Sequence, residues 1–128
     1  MTHEFPIRVY YEDTDLAGIV YYANYLKFIE RARSEWVRDL GVDQVAMKAE
    51  GLVFAVRRVE ADYLAPARFD DTLVVATAVD QVSAARLVVR QDVRRGETLL
   101  FSALVTIICM NAAGTPVRLP AMIRRSVA

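Results

Sequence analysis

The sequence predicts an α+β domain in which one long helix precedes an antiparallel sheet. Residues 23–40 carry apolar side chains at spacings of three and four, the period of a helix with one buried face. After Gly51, strand-like segments separated by turn-forming residues follow at residues 52–63, 72–82, 86–93 and 99–110. A helix followed by a meander of strands favours a sheet that packs against that helix.

Shorter elements surround this frame. Asn24 is the expected N-cap of the long helix, and Gly41 is its expected end. Residues 13–18 are predicted to form a turn. Three further elements complete the prediction, namely a strand at residues 6–12, a helical turn at 43–50 and a short strand at 116–119.

Length and composition limit the possible functions. A chain of 128 residues is expected to form one domain, spanning 1–128. The 16 basic and 16 acidic residues cancel, which leaves no electrostatic basis for a general affinity for nucleic acid or anionic membranes. The 55% hydrophobic content is high for so short a chain and favours an oligomer.

Features tied to location point to the cytoplasm. The first six residues lack the basic and then apolar pattern of a signal peptide. The longest apolar run, at 99–110, is interrupted by Ser102 and Thr106 and is shorter than the roughly 20 residues of a transmembrane helix. Cys109 is the only cysteine, so neither an internal disulfide nor a zinc cluster is expected.

The segment at residues 11–25 concentrates the chemistry. Asp13 and Asp15 precede a glycine and the start of the long helix, which places a carboxylate beside helix N-terminal N–H groups that stabilise an oxyanion. Aspartates at such positions also satisfy turn and cap donors, so the spacing alone leaves both roles open. Counted from Asp13, a calcium loop is excluded because its fifth position, which requires Asp or Asn, is Ala17, and its twelfth, which requires a bidentate Glu, is Asn24.

Histidine chemistry is not expected. His3 is the only histidine and lies at the N-terminus, which is predicted to be ragged. General base catalysis by histidine and a Ser-His-Asp triad are therefore both disfavoured. Acid-base chemistry must then fall on a carboxylate.

The segment at 11–25 resembles the active-site segment of hot-dog-fold thioesterases of the 4-hydroxybenzoyl-CoA class. It is most similar to the branch found with the bacterial Tol-Pal cell-envelope system. The resemblance continues at Phe28, 30–33, Glu35, 63–68 and 70–71. It implies a hot-dog fold and a cytoplasmic enzyme of lipid metabolism that hydrolyses acyl-CoA without a metal or other cofactor.

The resemblance also implies the roles of individual residues. The family's catalytic aspartate corresponds to Asp15, acting as a general base or as a nucleophile through a transient anhydride. The backbone N–H of Tyr22 would polarise the thioester carbonyl, and Gly18, Ile19 and Val20 would contact the substrate. Many relatives of the Tol-Pal branch carry histidine at the position of Tyr22, so this chain departs from them there.

Coenzyme A carries phosphates that require cations or N–H groups. Arg57 and Arg86 are the candidates for this contact, and Arg58, Arg68 and Arg90 are also available. The basic cluster of the hydroxybenzoyl-CoA branch is replaced here by 83–85, Ser-Ala-Ala. Acyl carrier protein is therefore an alternative thiol carrier.

The alternative to catalysis is a scaffold that binds acyl carrier protein or a cell-envelope partner. A hot-dog hydratase is disfavoured, because such enzymes pair a histidine with a carboxylate. The resemblance implies a homodimer with the active site at the shared interface, paired again into a homotetramer. Glu30 and Arg33 are either a solvated helix face or an ion pair at that interface, and the sequence leaves both open.

Overall fold

The computed structural model describes residues 2–127 and contains one antiparallel sheet with helices packed against it. The elements in chain order are β1 (Thr2–Arg8), α1 (Asn24–Asp39), α2 (Gln44–Ala49), β2 (Val53–Tyr63), β3 (Thr72–Val82), β4 (Leu87–Arg95), β5 (Thr98–Met110), β6 (Pro116–Val117) and α3 (Ala121–Val127). The strand order is β1-β3-β4-β5-β2, with β6 beside β5. Strand β2 therefore forms one edge of the sheet.

Helix α1 buries one face, as its apolar spacing predicts. The buried side chains of this face are Tyr25, Phe28, Ile29, Ala32 and Trp36. They join a core with the alternating inward side chains of β3, β4 and β5. Burying one such large side chain contributes about 1.5–3 kcal/mol, so this stripe fixes the helix on the sheet.

The first strand lies closer to the N-terminus than residues 6–12, so that prediction was wrong in its bounds. Strand β1 pairs with β3 over Thr2–Arg8. Tyr11–Asp13 instead form a short 3-10 turn, in which the Asp13 carboxylate accepts a hydrogen bond of 2.8 Å from the Tyr10 N–H. The Asp13 side chain thus accepts from an N–H that would otherwise bond to a neighbouring strand. The chain therefore leaves the sheet before residue 13.

The helix start also differs from the prediction. Asn24 is the first residue of α1 rather than its N-cap, a position taken by Ala23. The Asn24 side chain donates a hydrogen bond of 2.9 Å to the Asp13 carbonyl, which ties the helix to the preceding turn. At the other end, Gly41 has a φ of +84°, and the helix has ended before it, as predicted.

Two further features were missed or misplaced. Helix α3 was not predicted, because seven residues with one buried side chain, Ile123, give too short an apolar period. His3 was expected at a ragged terminus, but it lies within β1, and its Nε2 is 2.8 Å from the Asp39 carboxylate. Asp39 ends α1, so His3 lies at the helix end far from residue 24.

The structure also bears on Cys109 and on membrane insertion. Cys109 is fully buried in β5, and burial raises the pKa of its thiol, as expected of a packed core residue. Within residues 2–127, every helix is too short or too polar to cross a membrane.

Asp71 is expected to stabilise the fold only above acidic pH. Its carboxylate accepts hydrogen bonds of 2.8 Å from the Arg68 N–H and from Arg95. Burial alone raises the pKa of Asp71, but these donors outweigh burial and lower it. A depressed folded pKa means that the stabilisation is present above the unfolded value of about 3.9 and disappears as pH falls through the folded value.

We therefore expect Asp71→Asn to lower the free energy of unfolding by about 1 kcal/mol at pH 7 and by much less at pH 3. Urea unfolding at both pH values measures the difference. Asp70→Asn is the matched control, because Asp70 pairs with Arg8 in solvent and its loss should cost under about 0.5 kcal/mol. If Asp71→Asn lowered the free energy of unfolding equally at both pH values, this account would be contradicted.

Candidate active site

The loop between residues 14 and 20 is anchored at its C-terminal end. Thr14 and Val20 form an isolated antiparallel bridge, and the Val20 N–H donates a hydrogen bond of 2.8 Å to the Ala67 carbonyl. The Val20 side chain is buried in the core. The loop is therefore held against the connection that follows β2.

Asp15 sits at the start of a tight turn in this loop. Its Oδ1 accepts a hydrogen bond of 2.9 Å from the Ala17 N–H, and its backbone carbonyl accepts one of 2.9 Å from the Gly18 N–H. Gly18 has a φ of +78°, which a side chain disfavours. The second carboxylate oxygen has no hydrogen-bond partner within residues 2–127, and the side chain is exposed. One oxygen thus fixes the carboxylate, and the other is available to a substrate or water.

The turn that leads into α1 offers a free backbone donor. The N–H of Tyr21 donates to the Asp13 carbonyl at 2.9 Å, and that of Asn24 donates to the Tyr21 carbonyl at 2.8 Å. The N–H of Tyr22 has no acceptor in the part of the chain that the structure describes. A free N–H at the positive end of a 16-residue helix is suited to stabilise a developing negative charge.

Aromatic side chains hold this turn in place. The Tyr63 hydroxyl, at the end of β2, donates a hydrogen bond of 3.0 Å to the Tyr22 carbonyl. The Tyr25 hydroxyl accepts one of 3.2 Å from the Ala67 N–H, and its ring stacks on Phe101 with centroids 4.9 Å apart. Tyr63 meets Phe101 edge to face at 5.0 Å. The turn that carries the free N–H is therefore supported from the core.

The phenols of this cluster remain protonated at neutral pH. Burial raises the pKa of Tyr25 and of Tyr63. The pKa of Tyr21 is raised mainly by its neighbour Tyr22 and to a smaller extent by the Asp15 carboxylate. The Tyr63 hydroxyl can therefore keep its bond to the Tyr22 carbonyl throughout the neutral range.

These elements surround an open cleft of about 480 Å³. Its lining residues are Asp15, Ile19, Val20, Tyr21, Tyr22, Tyr25, Tyr63, Leu64, Ala65 and Pro66. The structure thus brings together four of the predicted site residues, and Gly18 shapes the loop without lining the cleft. Residues 63–66 belong to the stretch 63–68 that resembles the family, and this resemblance was the sequence signal for their place in the cleft.

The predicted phosphate-binding arginines lie elsewhere in the chain. Arg57 is the extra residue of a bulge in β2 and is exposed. Arg86 is exposed in the turn between β3 and β4, where its N–H bonds to the Ser83 hydroxyl. Neither lines the Asp15 cleft of its own chain. Residues 2–127 also contain no cluster of three or more His, Cys, Asp or Glu side chains placed to bind a metal.

Known proteins resemble this chain over most of its length. The model of the thioesterase superfamily matches residues 17–102, beginning just after Asp15. The acyl-CoA thioester hydrolase YbgC of Escherichia coli O157:H7 is 44% identical over 83% of this chain and 80% of its own. The acyl-CoA thioesterase YbgC of Haemophilus influenzae is 42% identical over 84% and 79%.

A solved structure of a similar protein has the same fold. The crystal structure of a probable thioesterase from Bartonella henselae superposes with a TM-score of 0.89 at 40% sequence identity. The superposition covers 94% of this chain and 100% of that one.

Proposed function

The chain belongs to the thioesterase superfamily and is an acyl-CoA thioester hydrolase of hot-dog fold, and we propose that Asp15 and the turn that leads into α1 form its active site. The predictions of fold and enzyme class are thereby confirmed, whereas the link to the Tol-Pal system stays a prediction. One observation supports the site above all. The unpartnered oxygen of Asp15 and the unpartnered N–H of Tyr22 belong to residues that line the same cleft.

In the proposed reaction, the thioester carbonyl oxygen accepts a hydrogen bond from the Tyr22 N–H. Attack at the carbonyl carbon moves negative charge onto that oxygen, which the helix N-terminus stabilises. Asp15 either removes a proton from the attacking water or attacks directly and forms an anhydride that water then cleaves. The C–S bond breaks as the acid forms on the first route, or as the anhydride forms on the second. The thiolate takes up the proton that the water gives up, so the products are the free acid and the thiol.

A hydrolysis screen tests the activity and its carrier. Acyl-CoAs of increasing chain length and the matching acyl carrier proteins would be offered, and release of thiol would be followed. We expect turnover of acyl-CoA, with acyl carrier protein as the alternative carrier. Binding without hydrolysis of either would instead favour the scaffold role.

Tyr22 is expected to contribute its backbone rather than its hydroxyl. Its side chain is 60% exposed at the cleft, and a phenylalanine leaves the N–H unchanged. We expect Tyr22→Phe to keep kcat/KM within about tenfold of wild type, a difference of roughly 1.4 kcal/mol. Steady-state kinetics measure this ratio. A loss of more than about a hundredfold would show that the hydroxyl takes part in the chemistry.

We also propose that the active unit is a homodimer, with a homotetramer as the larger assembly. Strand β2 is an 11-residue edge strand, and it exposes apolar side chains at Val56, Val59 and Tyr63. An open apolar edge of this length favours pairing with another strand. Tyr63 also lines the Asp15 cleft, so a second copy paired along β2 would lie next to the active site.

Arg57 is then expected to serve the cleft of a second copy, because it does not line its own. Mixing inactive Asp15→Asn protein with weakened Arg57→Gln protein tests this. Random exchange makes half of the dimers mixed, each with one intact site, so activity should reach about a quarter of wild type. Mixtures without gain, despite subunit exchange shown by mass spectrometry, would contradict a contribution of Arg57 to the other copy. The same experiment with Arg86→Gln tests Arg86.

A cytoplasmic location is part of the proposal. Its support is the free thiol of Cys109, which is compatible with a reducing compartment.

A further inference from the structure

An exposed apolar patch lies beside the loop that carries Asp15. It consists of four side chains, Tyr10, Tyr11, Leu16 and Phe69, of which Tyr11 is 82% exposed and Leu16 is fully exposed. We call it the Tyr11 patch. None of its side chains lines the Asp15 cleft. Single exposed apolar side chains are common on proteins, whereas a cluster of them indicates a contact surface.

Backbone contacts hold the Tyr11 patch together. Val9 exchanges two hydrogen bonds of 2.9 Å with residues 70–71, which places Tyr10 and Tyr11 beside Phe69. The rings of Tyr11 and Phe69 meet edge to face, with centroids 6.3 Å apart. The patch is therefore built on two segments that are fixed against each other.

A second contact brings Leu16 to the same surface. Leu16 follows Asp15 in the tight turn. After this turn, Ile19 forms an isolated antiparallel bridge with Arg68, the residue before Phe69. The turn and the segment that contains Phe69 are therefore neighbours in space.

The Tyr11 patch lies away from the edge strand β2. Strand β3 begins directly after residue 71, and strands β4 and β5 lie between β3 and β2 in the sheet. The proposed pairing along β2 therefore uses a different part of the surface.

The charged side chains beside the patch are complementary to those of a second copy. Glu12 follows Tyr11, and Arg68 precedes Phe69; both are exposed, and neither forms an ion pair with another side chain of residues 2–127. Across a twofold axis, a contact from one residue to a second is repeated in the opposite direction. Glu12 and Arg68 can therefore form two ion pairs between copies while the apolar side chains pack between them.

An anionic partner fits this surface less well. Asp13 and Asp15 lie next to the patch and add negative charge to its surroundings. An acidic protein or an anionic lipid surface would be repelled by them. A second copy of the chain carries no net charge, so no general repulsion opposes its approach.

The area of the patch suits a weak and specific contact. Its three aromatic side chains together expose roughly 300–500 Å², if each offers about 150–250 Å² in full. A stable interface covers about 800 Å² on each partner, so the patch supplies its apolar centre and needs a polar rim. We expect a dissociation constant of about 1–10 µM. The unfolding experiments on single substitutions use protein concentrations below this range, where the contact does not contribute.

We propose that the Tyr11 patch is the surface through which two dimers pair into the homotetramer, each patch packing on the same patch of another copy. The inference rests on the dimer through β2 in the proposed function and adds the second contact that a tetramer requires. It is tested by mass rather than by turnover.

Charge reversal tests the contact in light scattering between about 1 and 100 µM protein, a range that spans the expected constant. Wild type should change from dimer to tetramer. Glu12→Lys and Arg68→Glu each place like charges against each other twice, so both should stay dimeric, with dissociation at least about tenfold weaker than in wild type. Asp80→Lys is the matched control, because Asp80 is exposed, forms no ion pair within residues 2–127 and lies at the other end of β3. It should form tetramers like wild type.

Mixing the two charge-reversal variants tests the pairing of Glu12 with Arg68 directly. The new lysine of one variant then faces the new glutamate of the other, and the native Arg68 of the first faces the native Glu12 of the second. We expect tetramers that contain two copies of each variant, identified by native mass spectrometry. Their formation would also show that both variants are folded.

The outcomes separate this contact from the proposed dimer. Tetramers that persist in both single variants, or a mixture that stays dimeric, would overturn the inference. Wild type and Glu12→Lys that are both dimeric at every concentration would overturn it as well and leave the patch to a different partner. A wild-type dimer that Glu12→Lys converts into monomers would instead support the contact and contradict the pairing through β2.

Discussion

Asp15→Asn is expected to lower kcat by about 10²–10⁴-fold with little change in stability. Asparagine keeps the side-chain oxygen that accepts the 2.9 Å hydrogen bond from the Ala17 N–H, so the turn should keep its shape. The substitution removes the basic oxygen that has no hydrogen-bond partner among residues 2–127. Steady-state hydrolysis of an acyl-CoA measures the rate, and urea unfolding confirms that the fold is retained.

Asp13→Asn is the matched control for this prediction. Asp13 lies two residues earlier, and its carboxylate accepts a hydrogen bond of 2.8 Å from the Tyr10 N–H, a role that an amide oxygen can take over. We expect its kcat to stay within about tenfold of wild type. Near-normal turnover by Asp15→Asn would remove Asp15 from the mechanism, and equal losses in both variants would point to damage of the turn instead.

The parts of the fold that depend on regular periodicity were predictable from the sequence. Helix α1 and strands β3 to β5 each have a buried face that repeats over nine or more residues, and their predicted positions agree with the structure. Strand β1 was misplaced because only one of its side chains, Ile7, is buried, which leaves a weak apolar pattern in the sequence. Its position is set by pairing with β3, which is a tertiary contact.

The candidate site was likewise predictable only where its residues are close in sequence. Asp15, Ile19, Val20 and Tyr22 are close in sequence, so a local motif sufficed to place them together. The contribution of Tyr63 is a contact across 41 residues, since its hydroxyl bonds to the Tyr22 carbonyl, and no local pattern encodes it. Arg57 and Arg86 were chosen for their charge and their place in the sequence, and neither determines which cleft a side chain reaches.

Among these substitutions, Phe101→Ala is expected to lower the free energy of unfolding most, because it removes the aromatic support of the site. Phe101 is fully buried, stacks on Tyr25 at an angle of 8° and meets the edge of Tyr63. Phe101→Ala removes this ring and leaves a cavity, which typically costs about 3–5 kcal/mol of unfolding free energy. Urea unfolding monitored by circular dichroism measures the loss. Phe69→Ala is the matched control, because Phe69 is 58% exposed and its loss should cost under about 0.5 kcal/mol.

Activity should fall together with stability in the Phe101→Ala variant. Without the ring, Tyr63 loses the contact that holds its hydroxyl on the Tyr22 carbonyl, and Tyr25 loses the surface on which it stacks. The free N–H of Tyr22 then has a less fixed position, and a poorly placed oxyanion donor stabilises the transition state less. We expect kcat of the remaining folded protein to fall by about tenfold or more at a temperature well below the transition. Wild-type kcat in a folded Phe101→Ala variant would show that the turn that leads into α1 keeps its geometry without support from the core.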